Sequence, residues 1–145
     1  MKSLLILGAG GFGRMIKETA LALGYEEVLF LDDTAKDDDV IGRCCDYHLY
    51  HRDYSVAVAA FGNNKTRLFW TQKLLEEEYE VPAIVHPSAI VSPSVRLEPG
   101  CFIMQRAVVN MNTTIKMAAL INSGAVVDHD SIVEEGAHVG LGSVV

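Results

Sequence analysis

The C-terminal half of the chain repeats every six residues, and this period restricts the possible folds more than any other feature of the sequence. Every sixth residue from Val85 to Val145 is aliphatic. The positions are Val85, Val91, Leu97, Ile103, Val109, Ile115, Ile121, Val127, Val133, Val139 and Val145. A repeat sustained over this length predicts a parallel β-helix, in which short strands stack coil upon coil.

A second series of positions supports this prediction. Four residues after each aliphatic position comes a compact one: Ala89, Val95, Cys101, Ala107, Thr113, Ala119, Ala125, Ser131, Ala137 and Ser143. We expect a triangular coil whose interior is filled by the aliphatic series and whose corners hold the compact series. Three hexads per coil give rather more than three coils, hydrogen-bonded like a parallel sheet. The pattern does not determine the handedness of the coil, although parallel crossovers are generally right-handed.

The first 81 residues have a different texture and predict a separate module. Ser3 to Leu7 is wholly apolar, a glycine-rich turn and a helical stretch follow it, and Glu27 to Leu31 forms a second apolar strand. This order predicts a βαβ unit. In the Gly-x-Gly-x-x-Gly spacing, Gly8 makes the tight turn, Gly10 lets a phosphate approach the backbone, and Gly13 allows the helix to pack closely.

A second strand, turn and helix follow after a polar stretch that has no clear period. Val56 to Phe61 is apolar, Gly62-Asn63-Asn64 forms the turn, and a helix is expected from about Lys65 to Tyr79. An apolar stripe of Leu68, Leu75 and Tyr79 or Leu74 is expected on this helix. Two helix N-termini would then lie at the carboxyl ends of neighbouring strands, where a diphosphate could bind.

The glycine spacing alone leaves the ligand open. Asp32 lies near the place where dinucleotide-binding folds have an acidic residue for the ribose. A complete dinucleotide fold, however, needs two mononucleotide halves, and only one fits before the repeat. A mononucleotide-type ligand such as a nucleotide-sugar is therefore preferred. The alternatives are a dinucleotide and glycines that serve packing alone, while Asp32 and Asp33 could also be ordinary strand-ending residues.

Charge and cysteine content exclude some classes of function. The net charge of −7 and the absence of Lys/Arg clusters argue against nucleic-acid binding and favour a small-molecule ligand. Cys44 and Cys45 are adjacent and Cys101 is distant, so neither a Cys-x-x-Cys metal pair nor a disulfide framework is indicated. We therefore expect a cytoplasmic protein that needs no metal and has no membrane span.

Several motifs together resemble one known family. They are Gly8-Ala9-Gly10-Gly11-Phe12-Gly13, Phe30-Leu31-Asp32-Asp33, Gly62-Asn63-Asn64, His86-Pro87-Ser88-Ala89 and Asp128-His129-Asp130. In this order they resemble the sialic acid O-acetyltransferase and UDP-4-amino-sugar N-acetyltransferase family, the bacillosamine-type enzymes of the hexapeptide-repeat superfamily. The resemblance implies acetyl transfer from acetyl-CoA by a homotrimer. It also implies a Rossmann-like nucleotide-sugar-binding domain at residues 1–81 and a left-handed β-helix acyltransferase domain at residues 82–145.

The chemistry of acetyl transfer singles out His129. Attack on a thioester needs a base for the nucleophile's proton and a group that stabilises the oxyanion. Imidazole titrates near neutrality, and a neighbouring carboxylate can fix its tautomer and raise its basicity. By resemblance, Asp130 stands where the family has the acidic partner of its catalytic histidine, often Glu. Without the family, a solvated turn on the outside of the coil is the preferred interpretation of Asp128-His129-Asp130.

The resemblance also implies binding residues. Gly10, Gly11 and Phe12 are expected at the phosphates, Asp32 and Asp33 at the base or ribose, Gly62 at the diphosphate, and Asn63, Asn64, Arg67 and Asn122 as further candidates. His138 resembles a second family histidine that contacts the acyl donor, and its alternative is an ordinary exposed side chain. Several relatives have Ser and His in place of Gly10 and Phe12, which leaves backbone contacts but removes two side-chain donors. His86 is expected to cap the β-helix entrance, and His48 and His51 have no assigned role.

The end of the chain leads to one further expectation. Val145 is an inward aliphatic position, whereas a repeat stack needs a cap over its last coil. Complete members of the family continue through further coils that carry much of the acetyl-CoA groove. We therefore expect a C-terminally truncated β-helix that binds acetyl-CoA poorly or not at all.

The sequence thus favours one function over three others. The first hypothesis is an acetyl-CoA-dependent N-acetyltransferase acting on a UDP-linked amino sugar in glycan or surface-polysaccharide biosynthesis. A sugar O-acetyltransferase of the sialic acid type is the alternative that shares the same machinery. A nucleotide-sugar-binding protein without catalysis is another, and a dinucleotide-binding regulator is the least favoured.

Overall fold

The structure, a computed structural model, describes residues 2–145 and divides into two compact units, Met1–Pro82 and Ala83–Val145. The elements of the first unit are β1 (Ser3–Leu7), α1 (Gly11–Ala22), β2 (Glu27–Leu31), β3 (Val40–Gly42), a 3₁₀ helix (Cys44–Leu49), β4 (Ala57–Ala59) and α2 (Asn64–Glu76). The strands are all parallel, in the order β3-β2-β1-β4. The predicted βαβ unit is confirmed, and β1 lies between β2 and β4.

The core of the first unit forms around β1. Leu4, Leu5, Ile6 and Leu7 are completely buried, as expected for a central parallel strand that is covered on both faces. Helix α1 ends where Gly24 adopts a φ of 96°, a left-handed conformation that glycine accepts without strain. The chain then enters β2, whose bounds agree with the sequence-based prediction.

The prediction for α2 was wrong in one respect. Its buried face consists of Arg67, Thr71 and Leu74, whereas Leu68 and Leu75 are only half-buried. The helix ends at Glu76 because Glu78 turns the chain with a φ of 65°. Arg67 thus occupies part of the face that was expected to be apolar. Its burial is possible because the guanidinium donates hydrogen bonds to carbonyl groups of the preceding loop.

The second unit consists of two-residue strands. They are β5 (Ile84–Val85), β6 (Ile90–Val91), β7 (Arg96–Leu97), β8 (Phe102–Ile103), β9 (Val108–Val109), β10 (Thr114–Ile115), β11 (Leu120–Ile121), β12 (Val126–Val127), β13 (Ile132–Val133) and β14 (His138–Val139). They pair in parallel as β14-β11-β8-β5, β13-β10-β7 and β12-β9-β6. Val85 pairs with Ile103, and Ile103 pairs with Ile121. Each coil thus takes eighteen residues, and the predicted parallel β-helix with three hexads per coil is confirmed.

The interior of this unit is built from the two predicted series. The buried cluster consists of Cys101, Ile103, Ala107, Val109, Ile115, Ala119, Ile121, Ala125, Val127 and Val133. Each of these residues belongs either to the aliphatic or to the compact series. Each Å² of apolar surface that is buried contributes about 25 cal/mol, so this stack is the main source of stability in the unit.

The corners of the coil share one backbone feature. One residue in each hexad from position 100 onward has a positive φ: Gly100, Arg106, Asn112, Ala118, Gly124, Asp130, Gly136 and Gly142. A left-handed residue is a usual way to reverse direction in a tight turn, and Gly, Asn and Asp adopt it most readily. Asp130, the predicted partner of His129, is therefore held in a special backbone conformation.

Candidate active site

Four glycines with different surroundings shape the passage from β1 into α1, and we call Gly8–Gly11 the glycine loop. Gly8 has a φ of 100°, and a Cβ there would lie 2.7 Å from the carbonyl oxygen of Ala60. A Cβ on Gly13 would lie 1.8 Å from the carbonyl oxygen of Gly8, so α1 can pack this closely only without a side chain. A Cβ on Gly10 or Gly11 would meet no atom within 4 Å, which leaves room for a ligand.

Both helices of the first unit begin at the same edge of the sheet. The N-cap residue of α1, Gly10, supplies no side-chain acceptor, and the first turn contains no acidic residue. At α2, the side chain of Asn63 accepts a hydrogen bond of 2.9 Å from the backbone amide of Thr66. Helix N-termini attract anions, and parallel sheets bind ligands where the strand order reverses, here on either side of β1. This edge of the sheet can therefore hold a phosphate group.

Asp32 connects the glycine loop to the end of β2. Its Oδ2 accepts a 2.7 Å hydrogen bond from the amide of Ala9, and its Oδ1 accepts from the amides of Thr34 and Ala35. Although burial opposes ionisation, the hydrogen bonds from Ala35, Ala9 and Thr34 outweigh it and lower the pKa of Asp32. Asp32 therefore remains an anion that holds the glycine loop in shape.

A pocket of about 390 Å³ lies beside Asp32, at the ends of β2 and β3. Asp33 and Arg43 are among the residues that line it. Asp33 accepts a 3.1 Å hydrogen bond from the amide of Cys44, and burial raises the pKa of the Cys44 thiol to about 12, so this cysteine stays protonated. The pocket is large enough for part of a nucleoside, and both acidic residues predicted at the base or ribose belong to its wall.

The predicted binding residues after β4 are close together in the structure. Arg67 is completely buried, and its guanidinium donates to the carbonyl oxygens of Phe61 (3.1 Å) and Gly62 (3.4 Å) and to Oδ1 of Asn64 (3.0 Å). Burial lowers the pKa of Arg67 to about 10, so the group is still a cation at neutral pH. Arg67 thus fixes the loop that carries Gly62, Asn63 and Asn64 and places a positive charge behind it.

In the second unit, Asp128, His129 and Asp130 form an exposed turn after β12, which we call the catalytic turn. Nδ1 of His129 donates to Oδ2 of Asp130 at 2.6 Å, and both side chains are more than half exposed. The backbone amide of His129 donates to Oδ1 of Asp128 at 2.8 Å. Within residues 2–145, Nε2 of His129 makes no hydrogen bond, and the side chain is exposed.

The catalytic turn is held to the neighbouring coil by residues that the sequence analysis did not single out. The hydroxyl of Thr113, completely buried in the compact series, donates to the carbonyl oxygen of Asp128 at 2.9 Å. Nδ2 of Asn110 lies 3.5 Å from Oδ1 of Asp128. Asn110 precedes Asp128 by one coil of eighteen residues, and this spacing was the signal that could have identified it.

The surroundings of His129 increase its basicity. The hydrogen bond to Asp130, followed by the negative charges of Asp128 and Asp130, raises the pKa of His129 above its ordinary value. The carboxylate also fixes the tautomer, because the proton on Nδ1 is shared with Asp130 and Nε2 is left as the acceptor. Such an arrangement would suit a general base.

Asn122 and His138, two further predicted site residues, are hydrogen-bonded to each other. Nδ2 of Asn122 lies 3.0 Å from Nε2 of His138, and Oδ1 of Asn122 accepts from the amide of Ser123 at 2.8 Å. Because an amide nitrogen can only donate, Nε2 of His138 is the acceptor and Nδ1 carries the proton. The structure thus brings these two predicted site residues into contact on the β-helix.

Other kinds of site receive no support from the described part of the chain. Among residues 2–145, no three His, Cys, Asp or Glu side chains are grouped as they would be around a metal ion. In the same range, no helix has the length and apolar character needed to cross a bilayer.

Known proteins show the same combination of units. Residues 3–74 match the PglD N-terminal domain. Over 99% of its length the chain is similar to the acetyltransferase domain of PglB from Neisseria gonorrhoeae FA1090 in complex with acetyl coenzyme A, with 32% identity, a TM-score of 0.92 and 72% of that chain covered. PerB from Caulobacter crescentus, in complex with CoA and GDP-perosamine, is 30% identical over 99% of the chain, with a TM-score of 0.90 and 71% of that protein covered.

A more distant likeness concerns the fold alone. WeeI from Acinetobacter baumannii AYE is 13% identical, with a TM-score of 0.65, over 99% of this chain and 88% of its own length.

The fold and the exposed histidine–carboxylate pair define a hexapeptide-repeat acyltransferase with a Rossmann-like unit in front of the repeat. Within that class, the chain belongs to the bacillosamine-type family of sugar N-acetyltransferases.

Proposed function

We propose that this protein transfers the acetyl group of acetyl-CoA to the amino group of a sugar that is linked to a nucleoside diphosphate, with His129 as general base. The observation that carries the proposal is the 2.6 Å hydrogen bond between His129 and Asp130. It occurs on a hexapeptide-repeat helix in a chain similar to PglB, solved with acetyl coenzyme A, and PerB, solved with CoA and GDP-perosamine.

The proposed reaction follows from the position of the free ring nitrogen. The amine nitrogen attacks the thioester carbonyl, so that a C–N bond forms and the C–S bond then breaks. Nε2 of His129 accepts the proton that the nitrogen loses, and this proton can return to the departing thiolate, which leaves as CoA. Asp130 stabilises the imidazolium that forms during transfer through its hydrogen bond to Nδ1.

The first unit is proposed to hold the nucleotide-sugar. The open space at Gly10 and Gly11, the start of α1 near Phe12 and the loop of Gly62, Asn63 and Asn64 supply backbone donors for a diphosphate. Asp32 contributes by holding Ala9, and Asp33 lies on the wall of the pocket proposed for the base. PerB was solved with GDP-perosamine, whereas the family resemblance of the sequence implies a UDP-sugar, so both guanosine and uridine diphosphate sugars belong among the candidates.

The second unit is proposed to contact the acyl donor. His138, oriented by its hydrogen bond to Asn122, is proposed to lie at the acyl donor, as the second histidine of the family does. We also propose that the β-helix is left-handed, that it assembles as a homotrimer and that the enzyme works in the cytoplasm, as the resemblance to the family implies. The repeat register and the core described above are compatible with these proposals.

A coupled assay of thiol release tests the proposed function. The protein is mixed with acetyl-CoA and a panel of UDP- and GDP-linked amino sugars, and free CoA is followed with a thiol reagent. The similarity of nearly the whole chain to proteins solved with acetyl-CoA or CoA outweighs the weak acetyl-CoA binding expected from the sequence, so we expect turnover with at least one amino sugar. His129→Ala should lower kcat by about 100-fold or more, the usual contribution of a general base. Binding of the nucleotide-sugar should stay within twofold of the wild type.

His48→Ala is the matched control, because His48 is an exposed histidine to which no role is assigned. Its kcat should equal that of the wild type. If His129→Ala kept most of the activity, the general-base assignment would be wrong. Stabilisation against heat by NAD, but not by nucleotide-sugars, would favour the dinucleotide alternative.

A further inference from the structure

Asp128 carries a negative charge next to His129 in the chain, and one oxygen of its carboxylate has no assigned role. Its Oδ1 accepts from the backbone amide of His129 at 2.8 Å and lies 3.5 Å from Nδ2 of Asn110. Within residues 2–145, its other oxygen, Oδ2, makes no hydrogen bond. One oxygen of the carboxylate is therefore fixed by the protein, and the other is available to a ligand.

The backbone of Asp128 is fixed as firmly as its side chain. Its amide donates to the carbonyl oxygen of Val145 at 3.0 Å, and its own carbonyl oxygen accepts from the buried hydroxyl of Thr113 at 2.9 Å. The amide of Asp130 donates to the carbonyl oxygen of Met111 at 2.9 Å. Because the turn is bonded to coils on both sides, Oδ2 of Asp128 keeps its place next to the base.

The two carboxylates of the catalytic turn differ in what they do. Asp130 accepts the hydrogen bond from Nδ1 of His129, and this contact orients the ring. Asp128 does not contact the ring, and its side chain is exposed to solvent. A base and its orienting carboxylate are sufficient to activate a hydroxyl group, so the second carboxylate is superfluous for an uncharged acceptor.

An amine acceptor differs from a hydroxyl acceptor in its charge at neutral pH. Aliphatic amines are largely protonated at neutral pH, and a hydrogen bond between a cation and a carboxylate is stronger than one between neutral groups. Resting on the proposed function, we infer that Oδ2 of Asp128 binds the ammonium group of the acceptor sugar beside His129 and thereby selects amines over hydroxyl groups. Asp128 is thus a specificity-determining residue for the acceptor.

The proton balance agrees with this role. The bound ammonium group first releases one proton to solvent and becomes a neutral amine that stays near Asp128. It loses a second proton to Nε2 of His129 as the C–N bond forms, and the thiolate takes up that proton when the C–S bond breaks. The net reaction yields the acetamido sugar, CoA and one proton, and no further reactant is needed.

Binding measurements on one matched pair of ligands test the inference. The ligands are a nucleotide-linked amino sugar accepted by the enzyme and the same compound with a hydroxyl group in place of the amine, titrated without acetyl-CoA. Asp128→Asn keeps an acceptor oxygen for the His129 amide but removes the charge. We expect this variant to bind the amine about tenfold more weakly, as for loss of a charged hydrogen bond. Binding of the hydroxyl compound should change by less than twofold.

Asp130→Asn is the charge-matched control, since it removes one negative charge from the same turn. It should change the ratio between the affinities for the amine and for the hydroxyl compound by less than threefold. The inference would be overturned if Asp128→Asn lost affinity equally for both ligands or for neither. It would also be overturned if Asp130→Asn changed the ratio of the two affinities as much as Asp128→Asn does.

The wild-type enzyme distinguishes failure of the inference from failure of the proposed function. If the wild type acetylates the amino sugar while Asp128→Asn shows no selective loss, only the role of Asp128 is refuted. If the wild type releases no thiol with any amino sugar of the panel, the proposed function is refuted and the inference falls with it.

Discussion

Asp130 illustrates how one backbone angle prepares a catalytic contact. By resemblance the family often has Glu at this position, and Asp is one methylene shorter. In the structure Asp130 has a φ of 58°, which turns its side chain toward the preceding residue, and the carboxylate lies 2.6 Å from Nδ1 of His129. Asp adopts this left-handed conformation more readily than Glu. The shorter side chain is thus compatible with both the turn and the contact.

The pH dependence of the reaction should report this contact. Because Asp130 and then Asp128 raise the pKa of His129, the free base is lost as the pH falls through that raised value. In Asp130→Asn the largest of these influences is removed, so the acid limb of kcat/KM should move to lower pH. The rate on the plateau should fall about tenfold or more, because a weaker base removes a proton less effectively.

The measurement is a profile of kcat/KM between about pH 5 and pH 9 for both proteins, since histidine titrates within this interval. Asp128→Asn serves for comparison and should move the acid limb in the same direction by a smaller amount. An acid limb that stays in place in Asp130→Asn would show that another group limits the rate.

At the scale of elements, substitutions of the glycines between β1 and α1 can separate an effect on helix packing from an effect on ligand binding. Gly13→Ala would place a methyl group 1.8 Å from the carbonyl oxygen of Gly8, which forces α1 away from the sheet. We expect a loss of about 3 kcal/mol in the free energy of unfolding of the first unit, as for severe overpacking. Urea unfolding followed by the fluorescence of Trp70, the single tryptophan, measures this change.

Gly11→Ala is the matched comparison, because a Cβ there meets no atom within 4 Å. Its stability should stay within about 1 kcal/mol of the wild type, since Ala is a good helix former. The KM for the nucleotide-sugar should rise about tenfold, or about 1.4 kcal/mol in binding, because the methyl group takes the space proposed for a phosphate. Equal stability losses in both variants would contradict the division of roles.

The elements that could be predicted from sequence are those with a clear period. Strand β2 and the stacked hexads were predicted because their apolar residues recur regularly. Strand β3 and the 3₁₀ helix at Cys44–Leu49 were not, because hydrogen bonds between distant residues create them: the amide of Phe30 donates to the carbonyl oxygen of Asp39, and that of Cys44 to the Asp33 side chain. Such contacts leave no periodic pattern.

At the scale of the whole molecule, stability in the second unit should depend on the two inward series. Ile121→Ala removes a completely buried side chain from the middle of the stack, which should lower the free energy of unfolding by about 2–5 kcal/mol. Ile132→Ala is the matched control, since Ile132 is 63% exposed, and it should change stability by no more than about 0.5 kcal/mol.

Circular dichroism during urea unfolding follows both units, whereas Trp70 lies in α2 and follows only the first. We therefore expect Ile121→Ala to shift the circular dichroism transition and leave the fluorescence transition unchanged. A similar loss of stability in Ile132→Ala would mean that outward positions also support the stack.

The candidate site could be predicted from sequence only as far as its residue types and the family resemblance allowed. His129 and Asp130 are neighbours in the chain, and so their contact could be anticipated. The support from Asn110 and Thr113 comes from the coil below, and the burial of Arg67 results from the carbonyl groups that it satisfies. These relationships depend on which residues the fold brings together, and no local pattern reveals them.

The eighteen-residue register of the coil also limits how the length of such a chain can vary. Val127 pairs with Val109 one coil away, so a gene duplication that added eighteen residues would insert a whole coil and leave every later residue on the same side of the triangle. An insertion of six would preserve the interior equally well but rotate all following residues by one side. The stability of the stack would tolerate both changes, but between Asn110 and Asp128 only an insertion of eighteen residues would keep these two side chains on the same side of the triangle.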